Sequence, residues 1–498
     1  MGRAFNCIGK LHQMLVLLAV GSVFMATAAE ASRDRGLEKR LRNHIETLAS
    51  DAFEGRQPGT EGEAKTLRYL GQEWFRMGLV SGTNDPGNEW FAPVTLVARE
   101  PASSSAVFTR RGRRVGVAQS EVLLLTSGKR SLVRNAPLLF LGRAEDISFS
   151  GKELAGRVAV VLDGEADPAE RQNALLAAGA SGVLTILDGA RTLEQIAARR
   201  QRSGYALADD SLGGDLEGFI TQEGFDRLLK PTRYSFARLK RAAARKNFSA
   251  LPLGIRASLE ATTRESTIRT YNLVAKLPGK KPDLGAVLMV AHWDHFGTCA
   301  EPPAENLICN GAIDNASGVA ALTEIARRLA KSAKPDRDIY FLATTAEELG
   351  LLGAHAFAEN PPLPLPRIVA AFNIDSIAIA PRDTPVAIVG RGMTALDSDI
   401  ETVVNQQKRT MVAGDEANEF VKRQDGWALL EHGVPAVMVT SAYGDIARMR
   451  AYFETQYHRP NDDLAQELEL GGAAQDVRLH VALAKWFGDG EKFSPALK

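Results

Sequence analysis

The stretch DIYFLATTAEELG, residues 338–350, joins an apolar run to two adjacent glutamates, Glu347 and Glu348. The apolar run is typical of a buried strand. By itself, the glutamate pair would be typical of a helix start, where solvated carboxylates complement the helix dipole. The role of the pair therefore depends on what the neighbouring segments place beside it.

Apolar segments of the same kind recur from Tyr271 onward and alternate with helical patterns. They predict strands at 271–279, 286–291, 338–343, 368–374 and 434–440, with helices at 318–331 and 399–407. This alternation predicts an α/β fold with a mostly parallel sheet and helices on both faces. Ligands bind such sheets beyond the carboxyl ends of the strands.

The first half of the chain has a different texture. Residues 37–79 show a helical pattern that is interrupted by a loop rich in Gly and Pro at 53–63. Between about 101 and 264, short apolar strands predict a small α/β or β-rich unit without a cluster of His, Cys or acidic residues. A chain of 498 residues is long enough for two or three domains.

Overall charge indicates which partners to exclude. Sixty basic and sixty acidic residues cancel, so no global field favours nucleic acid or an anionic membrane. We expect neither as a partner, and any binding partner has to be inferred from a local site.

The N-terminus is typical of a signal peptide. Arg3 and Lys10 precede an apolar stretch at 14–26, and small residues follow up to Ala31. The stretch is too short for a membrane span, which needs about 20 apolar residues. We therefore expect an exported protein, periplasmic or secreted, with a signal peptide at 1–31 cleaved near Ala28 or Ala31. An uncleaved anchor is the alternative.

Two cysteines, Cys299 and Cys309, remain once Cys7 leaves with the signal peptide. A disulfide between them is expected in an oxidising compartment. Two free thiols are one alternative. A metal-binding pair is another, although the segment between them offers no further Cys or His.

Polar residues collect at the predicted carboxyl edge of the sheet. They follow three strands, precede one helix or lie in a late loop, and they are His292, Asp294, Asp314, Glu347, Glu348, Asp375 and His458. Imidazole and carboxylate without thiolate are a donor set that suits zinc or a similar divalent ion. A pair of ions needs an acidic ligand able to bridge them.

Each of these residues also has an ordinary structural interpretation. His292 could be a core histidine, Asp314 a helix cap, Asp375 a turn residue and His458 a surface histidine. Their joint placement favours a metal site, in which Asp294 would orient His292. His295 and His355 are interpreted as structural, because better candidates lie beside them or they fall within a helix.

The motifs that contain these residues resemble those of one peptidase family. AHWDHFG (291–297), GAIDNASG (311–318), TAEELGLLG (345–353), FNIDS (372–376) and YHRPND (457–462) are similar to the co-catalytic zinc aminopeptidases of family M28. The resemblance covers about 271–490, and ASDAFEGRQPGTEGE near the N-terminus is similar to the family's secreted members. Residues 101–264 resemble, more weakly, a protease-associated (PA) insert.

The resemblance implies a role for each matching residue. His292 and Asp375 would hold one zinc ion, Glu348 and His458 the other, and Asp314 would bridge them, with a cis peptide between Asp314 and Asn315. Glu347 would be the general base, and Tyr457 would help to polarise the substrate carbonyl. Other divalent metals could replace the two Zn²⁺ ions.

The resemblance also implies a domain plan: a helical segment at 32–100, the PA-like insert at 101–264 and the zinc peptidase domain at 265–498. One stretch, Arg423-Gln424-Asp425-Gly426-Trp427, departs from the family's Ser-Asp-His-like pattern. The departure spares the metal ligands but puts the substrate pocket in doubt.

The expected activity is removal of amino-terminal residues from peptides with a free N-terminus. A zinc carboxypeptidase or a glutaminyl cyclase on the same scaffold is the alternative, and a catalytically dead binding module is a third interpretation. The insert could serve as a lid or as a partner-binding surface, and the sequence does not decide its role.

Overall fold

The computed structural model describes residues 36–84, 87, 90–144, 151–164, 168–202, 204–208, 215–245 and 247–495. The predicted signal peptide lies outside these residues. Within the described ranges, no helix combines the length and the apolar character that crossing a membrane requires. The chain divides into two compact units, Met1–Val94 with Arg269–Lys498, and Thr95–Ile268.

Strands and helices are numbered in chain order. The strands are β1 (Val80–Ser81), β2 (Phe91–Arg110), β3 (Arg113–Val115), β4 (Val122–Thr126), β5 (Arg130–Phe140), β6 (Val158–Leu162), β7 (Gly182–Ile186), β8 (Tyr205–Leu207), β9 (Leu216–Ile220), β10 (Leu251–Leu277), β11 (Ala286–His292), β12 (Gly297–Thr298), β13 (Ile308–Cys309), β14 (Asp338–Thr344), β15 (Ile368–Asn373), β16 (Ala387–Val389) and β17 (Ala436–Thr440). The helices are α1 (36–48), α2 (Glu61–Arg76), α3 (Gly151–Leu154), α4 (Pro168–Ala177), α5 (Leu193–Arg202), α6 (Gln222–Leu229), α7 (Phe236–Ala243), α8 (Gly318–Ala330), α9 (Leu352–Glu359), α10 (Asp397–Gln406), α11 (Asp425–Glu431), α12 (Ile446–Thr455) and α13 (Leu470–Phe487).

The sheet of the first unit has the strand order β16, β17, β15, β11, β14, β10, and β1 also pairs with β10. The four central strands are parallel, whereas β16 and β10 run antiparallel to their neighbours. All seven residues of β11 are buried, as are all seven of β14, which explains why these strands are continuous apolar runs. The predicted mostly parallel sheet is confirmed.

Helices cover both faces of this sheet. Val287, Met289 and Ala291 of β11 pack in one apolar cluster, which also contains residues of α1, α2, α8, α10 and α13. Leu288 and Val290 point to the other face and pack in a cluster with residues of α9 and α11. The period of two along the strand therefore divides its side chains between two cores.

The strand order reverses direction at β11. From β11 the chain passes through α8 to β14 on one side, and then through α9 to β15 on the other. Because α8 and α9 lie on opposite faces, the topology predicts a crevice at the carboxyl end of β11. Such a switch point is where parallel sheets bind ligands.

The second unit has its own sheet and cores. β5, β6, β7 and β9 are parallel in that order, β4 pairs antiparallel with β9, and β2 pairs with β3 and β8. The predicted strands near 138, 157 and 182 correspond to β5, β6 and β7, and the predicted insert at 101–264 falls within this unit.

Candidate metal centre

The carboxyl ends of three neighbouring strands supply most of the centre. His292 is the last residue of β11 and pairs in register with Thr344, the last residue of β14. Glu347 and Glu348 follow β14 within one turn, and Asp375 follows β15. Parallel pairing therefore brings residues that are distant in sequence to one edge of the sheet.

One group of donors forms around His292. Its Nε2 lies 3.2 Å from Asp314 Oδ1 and 3.6 Å from Asp375 Oδ1. The three donors lie close enough together to hold one metal ion, and all three residues are buried. Ligands of a tetrahedral zinc ion, at about 2.0–2.2 Å from the metal, lie about 3.3 Å from one another, which matches this spacing.

A second group forms around Glu348. His458 Nε2 lies 2.8 Å from Glu348 Oε2 and 3.4 Å from Asp314 Oδ2. His295 also reaches this group, since its Nδ1 contacts Glu348 Oε1 and lies 4.0 Å from Asp314 Oδ2. His295, Asp314 and Glu348 lie close enough together to hold an ion. His458 Nε2 is nearer to the Asp314 oxygen than His295 Nδ1 is, and His458 is the ligand that the family resemblance implies.

Asp314 connects the two groups. Its Oδ1 faces His292 and its Oδ2 faces His458, so each carboxylate oxygen belongs to a different group. A bridging carboxylate in a two-metal site requires this arrangement.

Unpartnered buried atoms show that the centre suits a cation. Five candidate ligand atoms contact one another but are buried and form no regular hydrogen bond among the described residues: His292 Nε2, His295 Nδ1, Asp314 Oδ2, Glu348 Oε1 and His458 Nε2. A buried polar atom without a partner costs about 1–3 kcal/mol. Coordination of metal ions would satisfy such atoms, and the residues present therefore fit zinc.

Negative charge dominates the centre and shifts its titration. Burial lowers the pKa of His292, but neighbouring carboxylates, with Glu347 the largest contributor, outweigh it and raise that pKa well above the usual value. Burial raises the pKa of Glu347 well above its usual range, and the charge of Glu348 adds to this effect against the opposing charge of His292. Divalent cations would neutralise this excess of negative charge.

Glu347 lies at the centre without belonging to either ligand group. Its Oε2 is 3.8 Å from His292 Nε2, and its backbone N–H donates to Asp294 Oδ1 at 3.1 Å. The backbone oxygen of Asp294 lies 3.2 Å from His292 Nδ1. Asp294 therefore fixes both the ring of His292 and the turn that carries Glu347.

Asp462 accepts hydrogen bonds from the backbone of the turn that carries Asp314. The backbone N–H groups of Ile313 and Asp314 donate to Asp462 Oδ1 and Oδ2 at 2.9 and 3.1 Å, and the Tyr452 hydroxyl donates to Oδ2 at 2.9 Å. The peptide between Asp314 and Asn315 is cis.

A glycine leads into the same turn. Gly311 has φ +55°, and an added Cβ would lie 1.9 Å from the backbone oxygen of Asp314. Any side chain at this position would therefore displace the loop that carries the bridging carboxylate.

Arg56 braces two ligand-bearing loops from the buried side. Its guanidinium donates to the backbone oxygens of Trp293 (2.9 Å), Leu48 (2.9 Å), Asn310 (2.6 Å) and Gly311 (3.0 Å). Burial lowers its pKa to about 10, although nearby carboxylates partly offset that effect. The side chain therefore remains charged at neutral pH.

Left-handed backbone conformations occur at three positions of the centre. Ala346, Ser376 and His458 have φ values of 53°, 52° and 59°, the left-handed region that costs a residue with a side chain about 1–2 kcal/mol. Each lies beside a candidate ligand or base or is one itself. Strain of this kind persists where the surrounding structure enforces it, and it is common at functional sites.

Tyr457 lies beside the second donor group. Its ring stacks on that of His458 with 3.6 Å between centroids, and the guanidinium of Arg423 lies 5.2 Å from the centre of the tyrosine ring. Burial and the charges of Asp314 and Glu348 raise the pKa of Tyr457 well above its usual value. Its hydroxyl therefore stays protonated and can donate a hydrogen bond.

The structure thus brings all the predicted site residues to one place, and adds others. His295 lies in the centre, contrary to its structural interpretation, whereas His355 pairs with His432, with ring centroids 5.7 Å apart. Arg56 and Asp462 lie within conspicuous motifs, but no sequence pattern indicates that they hold the ligand-bearing loops. For His295 the only sequence signal is its position beside Asp294.

A disulfide and a buried aspartate lie near the centre. Cys299 and Cys309 form a disulfide, which joins the β12–β13 hairpin after His295. In the stretch that departs from the family pattern, Asp425 is fully buried and accepts a hydrogen bond from Thr344 Oγ1 at 2.5 Å.

Comparisons with known proteins agree with this geometry. Residues 272–481 match the family described as peptidase family M28. This segment belongs to family M28. It contains every predicted ligand and the predicted base.

Curated relatives match the M28 segment over limited lengths. Aminopeptidase YwaD of Bacillus subtilis is 32% identical over 120 residues, covering 24% of this chain and 24% of that protein. The vacuolar membrane protease of Lachancea thermotolerans is 32% identical over 103 residues, covering 21% of this chain and 10% of the relative. The matches thus span about a tenth to a quarter of these relatives.

A solved structure matches most of the chain. The aminopeptidase from Aneurinibacillus sp. strain AM-1 aligns over 93% of this chain and 96% of its own, with a TM-score of 0.54 and 18% identity. At this identity the likeness supports the shared fold.

Proposed function

We propose that the protein is an exported aminopeptidase that uses two zinc ions to hydrolyse the first peptide bond of peptides with a free amino terminus. The observation that carries the proposal is the position of Asp314, with one carboxylate oxygen in each donor group. The match to family M28 and the two aminopeptidases similar to this chain support the same reaction class.

His292 and Asp375 would hold one ion, Glu348 and His458 the other, and Asp314 both. When bound, the pair of ions would supply an acidified water and polarise the scissile carbonyl. His292, Asp314 and Asp375 are buried, so the chain itself excludes bulk water from around the first group, whereas the side chain of His458 in the second group is 35% exposed and leaves that side open to a substrate.

Glu347 would move the proton. It is buried, it is not a member of either ligand group, and its carboxylate reaches to 3.8 Å from His292. It would accept the proton of the attacking water and return it to the leaving amine, a transfer worth roughly 10²–10⁴-fold in rate. Tyr457, held protonated, would donate a hydrogen bond to the carbonyl oxygen as negative charge develops there.

The charge of the centre favours an exopeptidase acting at the amino end. Two Zn²⁺ ions would carry four positive charges against five carboxylates, so with neutral imidazoles a net negative charge would remain, which attracts a substrate ammonium and repels a carboxylate terminus; the carboxylates are Asp294, Asp314, Glu347, Glu348 and Asp375. Amino-terminal selectivity follows from this sign.

The test compares wild type with Glu347→Gln, each stripped of metal and then restored with zinc. Substrates are a short peptide amide and its N-acetylated counterpart. We expect wild type to cleave only the unblocked peptide, and Glu347→Gln to keep its zinc while kcat falls by roughly 10²–10⁴-fold. Glu359→Gln, at an exposed glutamate near the end of α9, is the matched control and should behave as wild type.

Full activity in Glu347→Gln with zinc bound would contradict the assigned base. Equal cleavage of the blocked peptide would remove the aminopeptidase claim. Cyclisation of an amino-terminal glutamine without peptide hydrolysis would indicate a glutaminyl cyclase.

A further inference from the structure

The second unit carries a strongly basic hairpin that the peptidase reaction does not use. β2 and β3 pair with Arg110 opposite Arg113, and Arg111 and Gly112 form the connecting turn. Arg111 has φ 50° and Gly112 φ 77°, a turn geometry that favours Asn-Gly and costs an arginine about 1–2 kcal/mol. Turn geometry therefore does not explain why arginine occupies this position.

A groove lies between this hairpin and the end of α6. Its volume is about 910 Å³. The lining residues are Arg110, Arg111, Arg113, Arg114, Val115, Gly116, Arg227, Lys230 and Pro231. We call this feature the basic groove. Six of its nine lining residues are cationic, and none is acidic or aromatic.

These charges are not neutralised within the described part of the chain. Arg227 forms an ion pair with Glu121 at 3.2 Å, and no described carboxylate pairs with the other five cations. Elsewhere in the same unit, arginines do have partners: Arg99 pairs with Glu265 at 2.8 Å, and Arg130 with Glu260 at 2.7 Å. Other exposed arginines of this unit, such as Arg134 and Arg264, also have no carboxylate partner among the described residues, so the groove is distinguished by the clustering of five such cations in one place.

We propose that the basic groove binds an acidic segment of a polypeptide. Guanidinium groups bind carboxylates through two parallel hydrogen bonds, and five of the six cations are arginines. Cations on two walls can reach an extended chain from both sides, whereas a flat bilayer would meet only the rim. Nucleic acid bases would find no aromatic ring to stack on.

The groove is independent of the proposed peptidase function. Every lining residue lies within the second unit, and none is a candidate ligand or base. Binding can therefore be measured without reference to catalysis, and either proposal can fail alone.

The test is fluorescence anisotropy of a labelled oligoglutamate peptide with the full chain. The variant Arg111→Gln/Arg113→Gln/Arg114→Gln removes three exposed cations of the hairpin. We expect it to weaken binding by about tenfold or more, because it removes three exposed charge pairs that each contribute modestly. Wild-type binding should also weaken as salt rises, because screening acts on exposed charges.

The matched control removes three exposed arginines of the same unit that do not line the groove: Arg134→Gln/Arg256→Gln/Arg264→Gln. It should bind the peptide like wild type. Absence of binding to wild type, or equal loss in both triple variants, would overturn the proposal. Tighter binding of anionic phospholipid vesicles or of a single-stranded oligonucleotide, lost in the hairpin variant, would assign the groove to those partners instead.

Discussion

Replacement of Arg56 tests how the two ligand-bearing loops are held. Arg56→Met removes four donated hydrogen bonds and leaves the backbone oxygens of Leu48, Trp293, Asn310 and Gly311 without that donor. Each buried backbone oxygen left without a donor costs about 1–3 kcal/mol. Total stabilities are typically about 5–15 kcal/mol, so the change should be large. Arg56→Lys keeps the charge but not the planar fork, and should lose about 1–3 kcal/mol.

Urea unfolding of the zinc-free and zinc-loaded chain measures this effect. The loss of stability in Arg56→Met should be accompanied by weaker zinc binding, because Trp293 and Gly311 belong to the loops that carry His292 and Asp314. Arg68→Met, at an exposed position on α2, is the control and should change stability by less than about 0.5 kcal/mol. An unfolding midpoint and zinc affinity equal to wild type in Arg56→Met would refute the bracing role.

Two further predictions concern residues behind the centre. Asp462→Asn replaces one of the two carboxylate oxygens that accept hydrogen bonds from the backbone of the Asp314 turn. Zinc binding should therefore weaken by about 10–100-fold, as measured by competition with a chelator. An unchanged zinc affinity would contradict this prediction. Burial raises the pKa of Glu63 to about 7, so its contribution to stability is complete below its usual pKa and is lost as the pH rises through 7. Glu63→Gln should therefore have a free energy of unfolding about 1–3 kcal/mol higher than that of wild type at pH 8, but no higher at pH 4. Urea unfolding of both proteins at the two pH values measures the difference. Equal free energies of unfolding at pH 8 would contradict this prediction.

The sheet and its carboxyl edge were predictable because they depend on local patterns. β11, β14 and β15 are largely apolar runs, and each ends in a candidate ligand or is followed by a candidate ligand or base within three residues. The carboxyl ends of parallel strands lie at the same edge of a sheet. The positions of His292, Glu348 and Asp375 at or just after strand ends were therefore enough to predict that they lie together.

What sequence did not predict depends on contacts between distant segments. Arg56 reaches Trp293 and Gly311 across more than 230 positions, and no local pattern distinguishes it from an exposed loop arginine. His295 differs from a core histidine only through its contact with Glu348. The basic groove is formed by a hairpin and a helix end that are more than 100 positions apart in the sequence. The net charge of the whole chain is zero and gives no sign of this local cluster of cations.

The geometry also separates the roles of the two adjacent glutamates. Glu348 contacts His458 and His295, whereas Glu347 approaches His292 without joining a ligand group. The left-handed residue Ala346 precedes them and turns the chain at the end of β14. Neighbouring carboxylates can thus serve a metal ion and a proton transfer separately.

The most direct test of the central claim is a titration of the metal-free chain with zinc, following hydrolysis of an unblocked peptide. Because Asp314 offers one oxygen to each donor group, the rate should rise until two equivalents of zinc are bound per chain. A full rate at one equivalent, or without added metal, would contradict a two-zinc aminopeptidase.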